Sequence, residues 1–506
     1  MDHGVPIVNT LVAVSGLILA YWAFSKSPQR KSLPPGPPAW PIIGNLLDIP
    51  KDFGWFKYKE WSEQYDSDVI HLDVLGMSIV VLNSLEAINN LFEGRAQIYS
   101  DSMGWDKSLV LLPYGDVWRS QRRAFHREFQ PHAISRYHPK QIKVTQGLLR
   151  HLLDSPQYWA EHIRQQAGAA IMDITYGIEV LPENDPYIEL AVAAMDGINT
   201  AGIPGAFLVD VFPLLKFVPA WVPGAGFQRK AKEWRRLFGE LIVIPFTESQ
   251  KKMANGTAKT SFVSRSLSAI DPNDGNQELE EKIIRDTASM VYAGGADTIP
   301  VTTNTFMAAM IMNPAAQARA QAELDDIIGK GQLPTFADKD YLPYITAIVK
   351  ETLRWQPVAP VAMPRQLKED DEYKGYHIPK GSIVIPNSWA ILHDEKVYPD
   401  PFSFKPERFI KDGQLDLSVQ DPEEAGAFGY GRRVCPGKAL AFDAVWLNVA
   451  SILAAFHISS VASPDGTVAE PKFSALGIQC PDKFDCVMTP RSKEMAELIQ
   501  ATAHVD

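Results

Sequence analysis

Cysteine is scarce in this chain. Its 506 residues include three, Cys435, Cys480 and Cys486, which excludes a disulfide framework or a zinc or iron–sulfur module built on several cysteines. Positive charge is also in deficit, because 49 Lys and Arg face 60 Asp and Glu, for a net charge of −11. Binding of nucleic acid by bulk charge is therefore not expected. No internal repeat or low-complexity block divides the chain.

Charge is absent from the first long apolar run. The residues from Val5 to Phe24 would form a helix of about 30 Å, which is one hydrocarbon thickness. Basic residues at 26, 30 and 31 follow this run, and the positive-inside rule then places the rest of the chain in the cytosol. We predict an uncleaved transmembrane anchor at residues 1–25. The alternative, a cleaved signal peptide, lacks a basic N-terminal region and a small-residue cleavage site.

A proline-rich hinge follows the predicted anchor. Residues 26–40 combine the basic residues with the run Leu33–Pro38, in which four prolines fix φ and remove backbone donors. Such a run favours a stiff extended spacer. We expect the catalytic body to occupy residues 41–506.

The body is predicted to be mainly α-helical with a smaller β-rich lobe. The segment Ile70–Leu82 alternates β-branched residues around a glycine, which indicates a hairpin. A second β-rich stretch is predicted at Tyr373–Pro386, with turns at Gly375 and Gly381. The apolar segment Ile203–Pro223 carries four prolines, which forbid a regular spanning helix. It is either a buried loop or a loop that enters the membrane surface.

The strongest chemical motif is Phe428–Gly437, FGYGRRVCPG. Its three glycines permit tight turns and close approach to a ligand. Cys435 precedes an apolar run that is predicted to be helical, and a helix N-terminus stabilises a thiolate. A lone thiolate on such a loop suits the axial ligand of a haem iron. The alternative for a single cysteine is a small buried apolar side chain.

This motif resembles the haem-binding loop of the cytochrome P450 superfamily, the haem-thiolate monooxygenases. The family pattern Phe-x-x-Gly-x-Arg-x-Cys-x-Gly is met here without departure. The resemblance implies that Cys435 is the proximal iron ligand, that Phe428 packs on the sulfur side of the haem, and that Arg433 reaches a haem propionate. The sequence around this motif is similar to that of microsomal members of the family from fungi.

Two further motifs match the family's structural network. Glu351 and Arg354 stand three residues apart and share a helix face, a spacing that by itself indicates only a surface ion pair. Downstream, Pro406–Phe409 resembles the family's PERF element. The resemblance implies that Arg408 joins the pair in a buried three-way network beneath the haem, which is structural rather than catalytic.

A third motif, Ala293–Thr298, lies within a helix predicted over Glu280–Asn313. Two adjacent glycines cost ~1 kcal/mol each in a helix interior, and Pro300 leaves the carbonyl four residues earlier without its helical donor. The opened turn is a plausible dioxygen and water site. The resemblance implies that Thr298 hydrogen-bonds dioxygen and that Asp297 is the acid of a proton relay. The alternative is a kinked helix with solvated polar groups.

The remaining haem contacts are also implied by the resemblance. Trp118 and Arg122 match the family's Trp-x-x-x-Arg pair, and the spacing selects Arg122 over the adjacent Arg123. Arg365 stands where the family often places His or Arg against a propionate. Two buried propionates require cationic or N–H partners.

The resemblance implies a mainly α-helical cytochrome P450 fold that holds haem b. The single transmembrane helix predicted above would precede this fold. The resemblance further implies a monooxygenase supplied with electrons from NADPH by a separate reductase, with cytochrome b5 as a second candidate donor. Candidate docking residues are Arg432, Arg433 and Lys438. The apolar segment Val358–Met363 is expected to line a pocket for a lipophilic substrate, of which a fungal terpenoid is favoured. The expected location is the endoplasmic reticulum membrane.

Two alternatives remain at the level of sequence. One is a haem-thiolate isomerase or dehydratase, which needs no reductase. The pair Asp297 and Thr298 argues against it, because such members often lack an acid–alcohol pair. The other is a haem- or lipid-binding protein without turnover, in which a proton relay would be unnecessary.

Overall fold

The computed structural model describes residues 32–102, 108–201, 207–273, 275–461, 470–474 and 478–504. The predicted membrane anchor at residues 1–25 and the first part of the hinge, residues 26–31, lie outside the described residues. Among the described residues, one helix, Lys438–Ala455, is long and apolar enough to cross a membrane, and 83% of it is buried inside the protein.

Helices make up most of the described chain. The α-helices are α1 Gly54–Gln64, α2 Leu85–Ile88, α3 Ala96–Tyr99, α4 Asp116–Phe129, α5 His138–Asp154, α6 Trp159–Tyr176, α7 Pro186–Ala201, α8 Leu208–Val211, α9 Gly226–Ala254, α10 Phe262–Ser268, α11 Gln277–Met312, α12 Pro314–Ile327, α13 Pro343–Trp355, α14 Ser388–Leu392, α15 Lys438–Ala455 and α16 Lys493–Ala501.

The strands are short by comparison. They are β1 Val69–Val74, β2 Met77–Leu82, β3 Arg365–Gln366, β4 Asp371–Tyr373, β5 Tyr376–Ile378, β6 Ile383–Pro386, β7 Ile410–Lys411, β8 Gln414–Leu415, β9 Phe456–Ser460, β10 Phe473–Ser474, β11 Cys480–Pro481 and β12 Cys486–Pro490.

The predicted β-rich lobe is confirmed. A four-stranded sheet has the order β1-β2-β6-β3, in which β1 and β2 are antiparallel and β2 pairs with β6 in parallel. The predicted hairpin turns at Leu75 and Gly76, both with positive φ, as a two-residue turn of the type that matches strand twist. The second β stretch turns at Lys374 and Gly375 in the same way.

The described part of the hinge lies against this sheet. The His71 N–H donates to the Pro35 carbonyl at 2.9 Å, and the His377 N–H donates to Ser32 at 2.7 Å. A side chain at Gly36 would overlap the His71 carbonyl oxygen. From Ser32 onward, the proline-rich segment is therefore attached to the body by backbone hydrogen bonds.

The helical part is centred on α11. Helix α6 packs along α11, and α4, α15 and α9 also contact it. Helix α15 is buried over almost its whole length, from Leu440 to Ala455, which explains its uniformly apolar sequence. The predicted bounds of α11, Glu280–Asn313, differ from the observed bounds by a few residues at the N-terminal end.

Candidate functional site

The cysteine loop, Phe428–Gly437, connects the β lobe to the helical core and ends immediately before α15. The Cys435 N–H donates to the Phe428 carbonyl at 2.8 Å, which closes the loop. Gly429 and Gly431 have φ of 77° and 55°, and a Cβ on Gly431 would lie 2.6 Å from the Phe92 carbonyl oxygen. Two of the three loop glycines are thus required by backbone conformation, and Gly431 also by close approach to Phe92.

Two opposing effects act on the Cys435 thiol. Burial raises its pKa, whereas the Gly437 backbone N–H and the cations of Arg122 and Lys438 act to lower it. Burial is the largest effect, and the Gly437 N–H at the start of α15 opposes it in the direction expected from the sequence. A metal cation bound at the sulfur would supply the missing stabilisation of the thiolate.

Three arginines converge beside this loop. Arg122 donates to the Val434 carbonyl at 2.6 Å, and Arg365 donates to the Tyr430 carbonyl at 2.9 Å. Burial and the like charges of Arg433 and Arg122 lower the pKa of Arg365 to about 9. Burial lowers the pKa of Arg433 to about 10. Clustered buried cations of this kind call for anionic partners.

Arg365 has two N–H donors that are available to such an anion. It is 4% exposed, and its Nε and Nη1 atoms have no hydrogen-bond partner in the described protein. Its guanidinium lies over the Phe92 ring at 4.6 Å. Unpartnered buried donors are rare in proteins, and here they identify a place for a carboxylate that the chain itself does not supply.

Arg433 is used differently. Its Nε donates to Ser100 at 3.0 Å and its Nη2 to Leu112 at 2.6 Å, both to backbone carbonyls, and Nη1 reaches the carbonyls of Leu109 and Val110. Its guanidinium also stacks over the Trp118 ring at 4.8 Å. Arg433 therefore holds the segment before α4 against the cysteine loop. Its predicted propionate contact stays a prediction.

The structure brings Glu351, Arg354 and Arg408 together. Arg354 donates to both carboxylate oxygens of Glu351 at 2.7 and 2.8 Å, and Arg408 Nε lies 3.0 Å from Glu351. Glu351 and Arg354 are fully buried. The remaining Arg354 donors reach backbone carbonyls, including that of Leu392 at 3.0 Å. Neither member of the buried pair is thus left without partners, as burial of charge requires.

The two glycines of α11 have different environments. A Cβ on Gly295 would lie 2.6 Å from Ile171 of α6, so Gly295 permits the close packing of the two helices. A Cβ on Gly294 would meet nothing within 4 Å, and Gly294 is exposed. This turn of α11 thus offers open space beside Gly294.

Thr298 lies one turn after that space. Its Oγ1 donates to the Gly294 carbonyl at 2.8 Å, and its own carbonyl accepts from Thr302 at 3.1 Å. Helix α11 continues through Pro300, although proline offers no N–H to the preceding turn. The hydroxyls of Thr298 and Thr302 therefore line successive turns at the predicted opening.

Asp297 is held from the opposite helix. The Asn199 amide of α7 donates to its carboxylate at 3.4 Å. Burial raises the pKa of Asp297, and the Asn199 hydrogen bond and Arg164 oppose that shift. A carboxyl with a raised pKa can hold a proton closer to neutral pH, as a proton-relay acid requires.

Sequence reasoning missed three residues near these motifs. Asn199 had no recognisable pattern. Tyr430 is 3% exposed and its hydroxyl donates to Ser388 at 3.1 Å, which anchors the carbonyl that accepts from Arg365. Gln479 is 3% exposed, its N–H donates to Val358 at 2.9 Å, and its Oε1 lacks a partner among the described residues. Each depends on contacts distant in sequence.

The expected pocket segment is partly used elsewhere. Val361 and Ala362 pack into the core of the β lobe. Met363 is 44% exposed. The segment therefore contributes fewer free side chains to a pocket than its apolar sequence indicates.

These residues fit a haem. Cys435 offers a half-buried sulfur, Arg365 offers two donors without a partner in the described protein, and a Cβ on Gly294 would meet no atom within 4 Å. The depressed pKa of Arg365 and Arg433 would be relieved by two carboxylates. Trp118, Arg122, Arg365 and Cys435 would hold the group, whereas the N–H groups of Arg433 are already bonded to backbone carbonyls.

Comparison with known proteins agrees with this geometry. The family profile described as Cytochrome P450 matches residues 34–480. The chain is 44% identical to cytochrome P450 monooxygenase 98 of Postia placenta, over 97% of both chains. It is 40% identical to tryptamine 4-monooxygenase of Psilocybe cyanescens, over 97% of this chain and 99% of the relative. It is 38% identical to cytochrome P450 monooxygenase ple1 of Rhodocybe pseudopiperita, over 99% and 97% respectively.

Proposed function

The chain belongs to the cytochrome P450 family, and from this premise we propose that it is a haem-thiolate monooxygenase acting on a lipophilic small molecule. The observation that carries the proposal is the half-buried Cys435 beside three arginines that have no carboxylate partner among the described residues. Bound haem b would supply the redox chemistry that activates dioxygen. The test is the reduced-CO difference spectrum of the holoprotein, in which the spectrum of the reduced protein is subtracted from that of its CO complex. Absence of a band near 450 nm would contradict thiolate ligation.

The chain's own residues would orient the group and move protons. Cys435 would bind the iron through its sulfur, and Arg365 would neutralise a propionate with its Nε and Nη1 atoms. Thr298 presents a hydroxyl beside the open space at Gly294. Asp297, with its raised pKa, delivers protons toward that hydroxyl from the side of α7. Overall, one oxygen atom of dioxygen would enter the substrate and the other would leave as water, with two electrons from NADPH and two protons.

The acid–alcohol pair favours monooxygenation over the two alternatives. An isomerase or dehydratase of the same cofactor class needs no external proton relay, and a binding protein needs none either. Here a raised-pKa carboxyl and a threonine hydroxyl lie on consecutive residues of α11. Substrate-dependent NADPH consumption with oxygenated product would distinguish the proposed activity from both.

We place the reductase contact on α4 rather than on the cysteine loop. Lys438 is paired with Glu424, Arg432 donates to the Tyr114 hydroxyl, and Arg433 is bound to backbone carbonyls. The outer face of α4 instead presents exposed cations. They are Arg123 and Arg127, whereas Arg119 of the same helix is paired with Asp116. Arg122 of the same helix reaches Val434, next to Cys435, so this basic face adjoins the sulfur side of the site. Cytochrome b5 would compete for the same face.

A terpenoid remains the favoured substrate class, and it is supported by the expected apolar pocket and by access from the membrane. An aromatic amine is the second candidate, because one relative is named for its action on tryptamine. Spectral titration of the ferric holoprotein with terpenoid and aromatic amine ligands would decide between them. A blue shift of the Soret band with only one class would identify it.

We propose that the protein resides in the endoplasmic reticulum membrane, held by residues 1–25. A second contact is supported by the segment between α7 and α9. Leu214 is 79% exposed, Phe217 73% and Trp221 81%, and a short helix and a 3₁₀ turn replace a regular helix there. A cluster of exposed large apolar side chains is typical of a membrane or protein contact. Carbonate-resistant sedimentation with microsomes would test the membrane assignment.

A further inference from the structure

A cleft of about 820 Å³ lies between α4, α10 and the first turns of α11. Its α4 wall is cationic, since it contains Arg122, Arg123 and Arg127. The wall from α10 and α11 carries the apolar side chains of Ile283 and Ile284. A volume of this size admits a metabolite-sized molecule. No described residue of the cysteine loop lines the cleft, so it is separate from the candidate haem site.

Two arginines of this wall lack carboxylate partners, because the acids of α4 are engaged elsewhere. Asp116 pairs with a neighbouring arginine of the same helix. Glu128 is buried and pairs with Arg265 of α10. Among the residues that the structure describes, no carboxylate lies within ion-pair distance of Arg123 or Arg127. Both side chains are exposed and are therefore accessible to a ligand from solution.

The charge of the cleft is opposite in sign to that of the whole protein. Three arginines and one acidic residue, Glu280, line it, although the net charge of the chain is −11. Within the described structure, Glu280 lies beyond ion-pair distance of these arginines. A concave surface lined by one sign of charge concentrates ions of the other sign. The cleft is thus suited to an anion in a protein that elsewhere repels one.

The spacing on α4 sets the size of that anion. Arg123 and Arg127 are four residues apart, so they share one face of the helix. Arg123 donates from Nη2 to Ser120 Oγ at 3.3 Å, and Ser120 also lines the cleft. Guanidinium groups bind phosphate oxygens through paired hydrogen bonds. Two adjacent guanidinium groups match a phosphate monoester, which carries a charge of about −1.5 to −2 at pH 7.

We propose that this cleft binds a small organic phosphate. Its phosphoryl oxygens accept from Arg123 and Arg127, and its apolar body lies against Ile283 and Ile284 on the opposite wall. Ile284 is 5% exposed and Ile283 is half-buried, so this wall is fixed by the packing of α11. The cationic wall alone would attract any anion, whereas the apolar wall selects one that carries an organic group.

Occupation of the cleft would also reduce binding of the reductase. Arg123 and Arg127 are the exposed cations on which the reductase contact was proposed, and a bound phosphate would neutralise them. Arg122, on the same wall, donates to the Val434 carbonyl next to Cys435, so the cleft adjoins the sulfur side of the site. This consequence rests on the proposed function, whereas binding of the phosphate does not.

The test is calorimetric titration of the full-length holoprotein with naphthyl phosphate, which joins a phosphate monoester to an apolar ring system. Inorganic phosphate and naphthol are titrated in parallel, and the Soret band is followed in each case. We expect the ester to bind about tenfold more tightly than either fragment, with no Soret shift. Equal affinity for inorganic phosphate would indicate an adventitious ion only. Equal affinity for naphthol, or a Soret shift with the ester, would place the ester in an apolar pocket instead. Each of these results would overturn the proposal.

A matched pair of charge variants locates the site. Ala269 lines the cleft directly after α10 and is exposed, so Ala269→Glu adds a carboxylate across from the arginines without disturbing the core. It should weaken binding of the ester about tenfold. Ser268→Glu makes the same change in charge at the preceding exposed residue, which does not line the cleft, and should retain the affinity. Equal losses in both variants would contradict the site, as would unchanged binding in R123Q/R127Q.

Two further measurements separate this proposal from the proposed function. The ester should slow reduction of the holoprotein by reductase and NADPH in the unsubstituted chain and in Ser268→Glu, but not in Ala269→Glu. Binding without slowing would reject the competition with reductase. A normal reduced-CO band near 450 nm, obtained with dithionite, together with no binding of the ester rejects the phosphate site and leaves the monooxygenase proposal intact. A missing band rejects haem-thiolate ligation and leaves the calorimetric result to stand on its own.

Discussion

The Asn199 amide on α7 donates a hydrogen bond to the Asp297 carboxylate on α11 at 3.4 Å. This bond stabilises the charged carboxylate and so opposes the rise in the pKa of Asp297 that burial produces.

Asn199→Leu should raise the pKa of Asp297 further. The pH above which Asp297 loses its proton then moves upward. Product formed per NADPH, measured against pH, should retain its acidic-side value to a higher pH than in the wild type. Thr200→Val on the same helix should leave the profile unchanged, and an unshifted Asn199→Leu profile would contradict the relay.

Thr298→Ala should uncouple NADPH consumption from product formation several-fold, because the hydroxyl beside Gly294 is removed while the helix remains. The band near 450 nm should persist. Thr302→Ala is the matched control, since the Thr302 hydroxyl makes the same type of bond one turn away, to the Thr298 carbonyl at 3.1 Å. Uncoupling of equal size in both variants would assign the effect to the helix rather than to the Thr298 hydroxyl.

Gly294→Ala and Gly295→Ala should have opposite effects on stability. Alanine at 294 meets no atom within 4 Å and should stabilise the helix by about 1 kcal/mol, while it narrows the open space and weakens ligand spectral shifts. Alanine at 295 would clash with Ile171 and should destabilise by about 1–3 kcal/mol. Adding Ile171→Ala to Gly295→Ala should cost less than the sum of the single changes in thermal unfolding.

Glu351→Gln should be among the most damaging single changes in the chain. It would leave the fully buried Arg354 and the nearly buried Arg408 without their shared carboxylate, which costs about 3–5 kcal/mol. We expect little haem-loaded protein, measured as the yield of the band near 450 nm. Glu60→Gln provides the comparison, because the Lys57–Glu60 pair is exposed and exposed pairs contribute about 0–1 kcal/mol.

His393 should make the protein acid-sensitive. It is stacked on Trp389 at 4.1 Å, and burial, followed by the charge of Arg354, lowers its pKa to about 3. The native state keeps His393 neutral, whereas the unfolded state takes up a proton below about pH 6.5. Stability from this group is thus complete above pH 6.5 and is lost at about 1.4 kcal/mol per unit as the pH falls toward 3. His393→Gln should weaken the fall in urea midpoint between pH 7 and 5.5, whereas exposed His126→Gln should not.

Local patterns predicted much of this fold. The hairpin at β1 and β2 follows from alternation around a glycine, and the extent of α11 follows from its apolar pattern and its polar ends. Cys435 stood out because glycines and arginines surround a single cysteine. These features depend on residues close together in the chain, whose spacing can be read directly.

Contacts between distant segments were not predictable. The pairing of Asn199 with Asp297 and the packing of Gly295 on Ile171 join helices separated by about a hundred residues. The hydrogen bonds from Arg433 to backbone carbonyls were also not predictable, because a carbonyl acceptor has no sequence signature. The same holds for the burial that raises the pKa of Cys435.

The sequence by itself determined the resemblance to haem-thiolate enzymes, because a ligand, its flanking glycines and two ion-pair motifs are encoded at fixed spacings. Only the tertiary structure decided which donors remain available. It left Arg365 with two N–H groups that have no partner in the described protein, and it used those of Arg433 on backbone carbonyls. Availability depends on what else has folded against a side chain, and that is a property of long-range packing.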